Sequence, residues 1–327
     1  MALRGALPRR AALLLVYGVA GLASLAGLPG ARAEEDPGAV LDAPAPPTLP
    51  ALAHARLTYT FEYTAAAIEP NESASGMAFA WFAHNELEQP IVARKWYVGL
   101  AHDVAAASVP GVDSSLLLGN PEIFGRGVWS SIMGFSSGGG LGTVLPVPRT
   151  LSRDELQVLS TVRVVRPWDV AYFNDLTLTF RPWLDIRYLT KRFIVQVRQG
   201  LDWSVLLSKK PACDQASTTA CHPSPSSRRT DITARLTLYA GYRFTRAVGL
   251  GLELWEVYQV TADIPDDQRA AFAVSPSVRF ILPHVQPALS ALFPIATPLR
   301  GEVASYYAMR LNVAFSFDAG GLVKVEP

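Results

Sequence analysis

Charge is scarce in this sequence. Only 17% of its 327 residues are charged, against about a quarter in ordinary soluble domains, while 50% are hydrophobic. The net charge of +1 gives no sign of the basic surface that nucleic-acid binders carry, so no nucleic-acid partner is expected. Cysteine is nearly absent. The two cysteines, Cys213 and Cys221, with His222 beside them, are too few for a zinc site, and no metal or cofactor is expected. They sit close together in a polar segment and are expected to pair in an oxidising compartment, where so short a loop adds about 2–3 kcal/mol. Two free thiols would instead imply a reducing compartment. Helix-length apolar runs are missing beyond residue 33, which excludes a helical membrane span in the mature chain. The 24 glycines and 25 prolines argue against a helical protein.

The one long apolar run lies at the start. Arg4, Arg9 and Arg10 precede an apolar stretch from Ala11 to Leu25, and Ala31-Arg32-Ala33 has the small-x-small form of a cleavage site. Residues 1–33 are therefore expected to be a secretory signal. A Pro-rich segment, "APAPPTLPA", follows, so residues 34–54 are expected to be a tether or a plug. An exported chain without a helical span is either a soluble secreted protein or a membrane β-barrel.

From residue 55 to residue 317 the sequence is a succession of alternating segments. In "LTLYAGYRFTRAVGLGLELWEVYQV", Leu236, Leu238, Ala240, Tyr242 and Phe244 share one face, and Thr237, Tyr239, Gly241, Arg243 and Thr245 share the other. Val248, Leu250, Leu252 and Leu254 then repeat the apolar face. This period of two is that of extended chain. About twelve such segments can be read, several longer than the usual five or six residues of globular strands. Short turns at Glu86–Pro90, Met133–Ser136, Thr190–Lys191, Thr245–Ala247 and Pro283–His284 alternate with longer loops at Ile68–Ser75, His102–Ser115, Arg149–Val170, Ser208–Thr230, Thr261–Arg269 and Ala296–Glu302. A soluble sandwich explains alternation. It does not explain long strands and alternating loop lengths together, which are features of outer-membrane barrels.

The expected fold is thus an all-β, transmembrane antiparallel β-barrel of about twelve strands in the bacterial outer membrane. Both termini would be periplasmic, with residues 318–327 as a periplasmic tail. Outer-membrane lipid, and the barrel-assembly machinery during biogenesis, are the expected partners. Tyr188, Trp203, Tyr242, Phe244, Phe315 and Phe317 lie toward strand ends on the apolar face, where aromatic girdles belong. Ordinary β propensity also enriches these residues.

The opposite face would line the lumen. It carries Lys95, Arg181, Arg187, Arg192, Arg198, Arg243, Arg279 and Arg310, set against Glu62, Asp175, Asp185, Asp202 and Glu253. These charges either pair to brace a filled barrel or form a polar, slightly cationic path that selects solutes. No charge is expected on the lipid face, where Arg or Lys at mid-membrane costs about 2–4 kcal/mol. The run "SSGGGLG" lacks the Gly-Lys-Ser/Thr ending of a phosphate loop and is read as a Gly-rich strand. In "LSRDELQVLSTVRVV", Ser152 and Glu155 form a possible capping box, and Leu156, Leu159 and Val162 share a helical face. A lid in the barrel mouth, a surface helix and a strand extension remain open for this segment. No enzyme is expected. The five histidines fall in the tether (His54), at a strand end (His84) and in loops or turns (His102, His222, His284), none beside a serine.

The stretch "LLLGNPEIFGRGVWSSIMGFSSGGGLGTVLPVP", Leu116 to Pro148, resembles the outer-membrane transporter family associated with phenol degradation through the meta pathway, and more loosely the fatty-acid-transporter-like channels. Gly119-Asn120 opens one strand and Leu145-Pro146 closes the next, with Val147-Pro148 where the family pattern has Thr-Gly. The resemblance covers about a tenth of the chain. It implies passive uptake of small hydrophobic or aromatic molecules. The other reading is a closed structural or adhesive barrel whose external loops carry the function.

Overall fold

The computed structural model describes residues 56–70, 76–92, 95–108, 114–130, 135–147, 151–190, 192–207, 229–262, 269–282, 284–296 and 303–317. The expected signal (1–33), tether (34–54), tail (318–327) and the Cys213–Cys221 pair lie outside them. Alternating sequence gives extended chain in β1 (Leu57–Pro70), β2 (Ala78–Val92), β3 (Trp96–Ser108), β4 (Ser115–Leu118), β5 (Glu122–Ser130) and β6 (Phe135–Val144). An α-helix, α1 (Arg153–Val165), and a 3-10 helix over Pro167–Phe173 follow. Strands then resume as β7 (Thr177–Leu189), β8 (Phe193–Leu206), β9 (Thr230–Arg243), β10 (Val248–Gln259), β11 (Ala270–Phe280), β12 (Val285–Ala296) and β13 (Val303–Phe317).

Every neighbouring pair is antiparallel, and β1 pairs with both β2 and β13, so the sheet closes on itself. Closure removes the edges that an open sheet would expose. β4 and β5 both pair with β3 and together make one broken stave, so the thirteen strands form a twelve-staved barrel. Leu57 stands opposite Phe317, so the barrel begins and ends at the same rim. The short connections lie at that rim and the longer ones at the other. β1, β2 and β13 run 14, 15 and 15 residues, enough to cross a bilayer at a tilt, which takes about 9–11.

Parity decides what each face meets. Leu184, Leu201, Trp203, Leu250, Leu252 and Met309 point outward and are exposed, while their sequence neighbours Asp185, Asp202, Glu253 and Arg310 point inward and are buried. This inverts a soluble core, as expected where lipid covers the exterior. The outward face is not free of charge, however. Glu69 is exposed at the end of β1 and Glu256 is half-buried near the end of β10, both toward the long-loop rim. Asn85 and His102 also face outward, side by side across β2 and β3, with Asn85 Oδ1 accepting from the Tyr59 hydroxyl at 2.7 Å.

Two expected boundaries move. Glu86–Pro90 is not a turn: β2 runs through it to Val92 and the chain reverses just before Trp96. The charged and amide residues there resemble a turn in sequence, yet they alternate, and Glu88 is fully buried on the inward face. His102 lies within β3, not in a loop. Leu176 sits in the turn before β7 with φ 46°. That left-handed conformation is unusual for a bulky residue.

The break between β4 and β5 has a local cause. Pro121 has no N–H to donate to a ladder. At Gly119 a Cβ would stand 2.6 Å from the Asp103 carbonyl oxygen, and the Gly119 N–H donates to that oxygen at 2.7 Å.

Candidate functional site

The lumen holds the segment between β6 and β7. Ser152 caps α1: its Oγ accepts from the Glu155 N–H at 3.2 Å, and Glu155 Oε2 accepts from the Ser152 N–H at 2.7 Å. The capping box read in the sequence is therefore present. Val158, Leu159, Val162 and Val165 are buried in the same apolar cluster as Ala66, Ile68, Ala80, Phe82, Ala105 and Leu117 of the barrel wall. Three of those wall positions, Ala66, Ala80 and Ala105, are small, which helps make room for an object about 10 Å across. Of the three possibilities left open for this segment, the one inside the barrel holds.

Polar and aromatic contacts fasten this plug on three sides. Arg166, at the end of α1, donates from Nη1 to Glu62 Oε1 of β1 at 2.5 Å and to Thr64 Oγ1 at 2.9 Å, and from Nε to Asp169 Oδ2 at 2.5 Å. Burial alone would lower the Arg166 pKa, but the Asp169 and Glu62 carboxylates outweigh it and raise it above the ordinary value. On the second side the Tyr172 hydroxyl donates to Glu122 of β5. Burial pushes that phenol well above its usual pKa, so it stays protonated as a donor. Arg181 of β7 reaches Glu122 Oε2 and Asp202 Oδ1, both at 3.0 Å, and the Trp168 carbonyl at 3.2 Å. On the third side Trp168 stacks on Trp255 of β10, ring centroids 4.2 Å apart.

The broken stave supplies the last fastening. With the ladder interrupted, Asn120 is free to serve the plug. Its N–H donates to the Tyr172 carbonyl at 2.5 Å, its Nδ2 to the Asn174 carbonyl at 2.7 Å, and its Oδ1 accepts from the Val147 N–H at 3.1 Å. Asn120 lies in the Gly119-Asn120 motif that carried the family resemblance, and its work is to hold both ends of the insertion.

The remaining lumen charges are mostly paired. Arg126 donates to both oxygens of Glu88 at 2.5 and 2.7 Å and lies 4.1 Å over the Tyr97 ring. Arg198 pairs with Asp185 at 2.6 and 3.0 Å, Arg235 with Asp202 at 2.8 Å, and Arg310 with Glu253 at 2.5 Å. His84 Nδ1 and Asp103 Oδ1 are 2.5 Å apart. His102 and Asp103, adjacent in sequence, thus act on opposite faces of the wall.

Of the lumen residues read from sequence, Arg181, Asp185, Arg187, Arg198, Asp202, Glu253, Arg279 and Arg310 all face inward. Arg243 sits at the end of β9, where its Nη2 donates to the Arg246 carbonyl at 3.2 Å. Lys95 and Arg192 occupy exposed turns at the short-connection rim, so they do not line the wall. Each adjoins a strand that begins just after it, so counting parity through the turn misplaced it. Sequence reasoning missed Glu88, Glu122, Arg126, Arg166, Asp169 and Tyr172. Glu122, Phe124, Arg126 and Val128 alternate visibly within β5 and could have been found by parity. Arg166 and Tyr172 follow no strand period and carry no such signal. Among the described residues no cluster of His, Cys, Asp or Glu side chains could hold a metal ion.

The chain is similar to the COG4313 outer membrane channel from Pseudomonas putida F1, at 10% identity and a TM-score of 0.58, over 84% of this chain and 99% of that one. At this identity the likeness is one of fold. Looser superpositions include the NanC porin (10% identity, TM-score 0.43, 77% of this chain and 98% of that) and the CymD monoaromatic hydrocarbon channel (10%, 0.41, 81% and 89%). No protein-family profile matches the sequence. No curated protein matches it either.

Proposed function

We propose that this chain is an outer-membrane channel for the passive uptake of small hydrophobic or aromatic molecules, with both termini on the periplasmic side. One observation carries the reading: toward the long-loop rim the inner wall is apolar along β1 to β4, although Thr177, Thr179, Asp202 and Ser204 keep it polar at β7 and β8. Barrels that pass hydrophilic solutes have polar interiors. Here Ala66, Ile68, Ala80, Phe82, Ala105 and Leu117 face inward, and α1 covers them with its own apolar stripe. Displacing α1 would uncover the apolar side of the lumen behind an exterior suited to lipid. The plug is held by ion pairs, hydrogen bonds and one aromatic stack, all reversible. The resemblance of Leu116–Pro148 to the phenol meta-pathway transporters agrees with an aromatic solute.

The test is flux into liposomes carrying the folded protein, compared between wild type and Arg166→Ala, using toluene-like neutral aromatics and a sugar of similar size. Faster entry of the aromatic with the variant, and little entry of the sugar, is the expected outcome. If neither protein admits any solute above protein-free liposomes, the channel reading is wrong.

A closed structural or adhesive barrel is the second reading, favoured by the density of buried ion pairs: Arg126–Glu88, Arg198–Asp185 and Arg310–Glu253 each join two staves. Deleting residues 208–227 separates the two. Loss of surface binding with permeability unchanged would support the closed barrel.

A further inference from the structure

The buried polar atoms left without a partner are strongly one-sided. Outside the plug they include Arg279 Nε, Arg310 Nη1, Asn312 Nδ2 and Gln196 Nε2, all donors on inward-facing strand positions. A buried donor without an acceptor costs about 1–3 kcal/mol, so a cluster of them calls for something that accepts.

Three of the four belong to one corner of the wall. Arg279, Ala288 and Asn312 stand on a single row across β11, β12 and β13, and Ser277, Ser290 and Arg310 form the adjacent row. The side chains between the donors are small: Ala288, Ser277 and Ser290. Tyr239 bounds the corner on the other side. Its ring lies over Gly241 and Gly251, where a Cβ would come within 2.6 and 2.5 Å of it, and Gly251 abuts Ser277. Gln196 is the cross-strand partner of Tyr239.

The charge balance of the corner is uneven. Arg310 is neutralised by Glu253. Arg279 is 3% exposed, and among the described residues it meets only neutral acceptors, Gln286 Oε1 at 3.3 Å and Asn312 Oδ1 at 3.4 Å. Both bonds are long for N–H···O contacts. A buried cation without a counter-charge is costly. Glu253 also attracts Arg279, but its carboxylate is bonded to Arg310, so two arginines share one carboxylate and the corner is short of one negative charge and several acceptor lone pairs, which a single carboxylate supplies. A doubly charged phosphate would exceed the one uncompensated cation.

We propose that this corner of the lumen binds the carboxylate of a small organic acid, held by Arg279 and by the amide nitrogen of Asn312. The proposal adds to the channel's neutral aromatic solutes those with an apolar body and an acidic group. It rests on the channel reading for the route by which the solute arrives, but not for the binding itself.

Equilibrium dialysis with labelled benzoate on the folded, detergent-solubilised full chain tests it, with benzyl alcohol as the neutral analogue and inorganic phosphate as competitor. Benzoate is expected to bind saturably, and both benzyl alcohol and phosphate about tenfold or more weaker, the loss of one charge-assisted contact. Arg279→Gln is expected to weaken benzoate about tenfold or more. Asn312→Asp keeps the shape and the arginine but gives Arg279 a resident carboxylate, and should weaken benzoate by about as much. Folding of each variant is checked by its shift in gel mobility on boiling. Absence of benzoate binding to the wild type overturns the proposal. So does wild-type affinity in both variants, benzyl alcohol binding as tightly as benzoate, or phosphate binding equally or better. Benzoate binding without solute flux in Arg166→Ala liposomes would sink the channel reading and leave this site standing. Flux without benzoate binding would do the reverse.

Discussion

Arg166 and Glu62 meet at 2.5 Å although 104 residues separate them, and their contact joins the end of the plug helix to the first stave of the barrel. Both side chains are almost wholly buried. Removing one partner leaves an uncompensated charge in a low-dielectric site.

Arg166→Ala is therefore expected to lower stability by about 3–5 kcal/mol and to loosen the plug. Urea unfolding in lipid vesicles reads the first effect, and protease cleavage within α1 reads the second. The double variant Arg166→Gln with Glu62→Gln should be less destabilised than the sum of the two singles, since neither charge is then stranded. Additive singles would show that the pair does not act as a latch.

Asn120→Ala should release the plug with little effect on the barrel itself. Among the described residues its side chain bonds to the Asn174 carbonyl and the Val147 N–H, at the two ends of the insertion. Amide exchange in α1 and the 3-10 helix should accelerate, while exchange in the β8–β9 pairing, remote from Asn120, stays slow. Equal acceleration in both would contradict a local role.

Leu252→Arg places a charge in the middle of the exposed apolar row of β10. Its expected cost is about 2–4 kcal/mol in a bilayer. Substituting Arg for exposed Phe244, in the turn beyond β9, should cost close to nothing. Equal effects at the two positions would mean that hydrocarbon does not cover this face.

Gly251→Ala forces a methyl group to within 2.5 Å of the Tyr239 ring and 2.7 Å of Ser277 Oγ. A loss of about 1–3 kcal/mol is expected from overpacking. Adding Tyr239→Ala should recover part of it, because the ring is the nearest obstacle. No recovery would place the strain on the backbone instead.

Leu176→Gly should stabilise the protein by about 1 kcal/mol or less. It removes the strain of a side chain at φ 46°, offset by the greater entropy of glycine in the unfolded chain. A clear destabilisation would show that packing of the Leu176 side chain outweighs its backbone strain.

The barrel was legible because its information is local and periodic. Leu250 and Leu252 share a face with each other and not with Gly251 whatever else the chain does, since successive side chains of extended chain must alternate. Strand number, the antiparallel meander and the inward set that includes Asp185, Asp202 and Arg310 all follow from that period and from loop lengths. Legibility failed where composition mimicked a turn, as in Glu86–Pro90, and where a turn intervened, as at Lys95 and Arg192. It failed also for pairing: nothing near Arg126 points to Glu88, or near Arg198 to Asp185, because partners are set by register.

Sequence alone thus determined the two-faced wall and supplied the capping box of the insertion, both products of short-range sterics and hydrogen bonding. Only the closed tertiary structure decided that the helix turns inward, that Arg166 meets Glu62, and that Arg279 is left facing neutral groups. Those outcomes depend on which staves stand across the lumen from one another. That arrangement exists only once β1 has paired with β13.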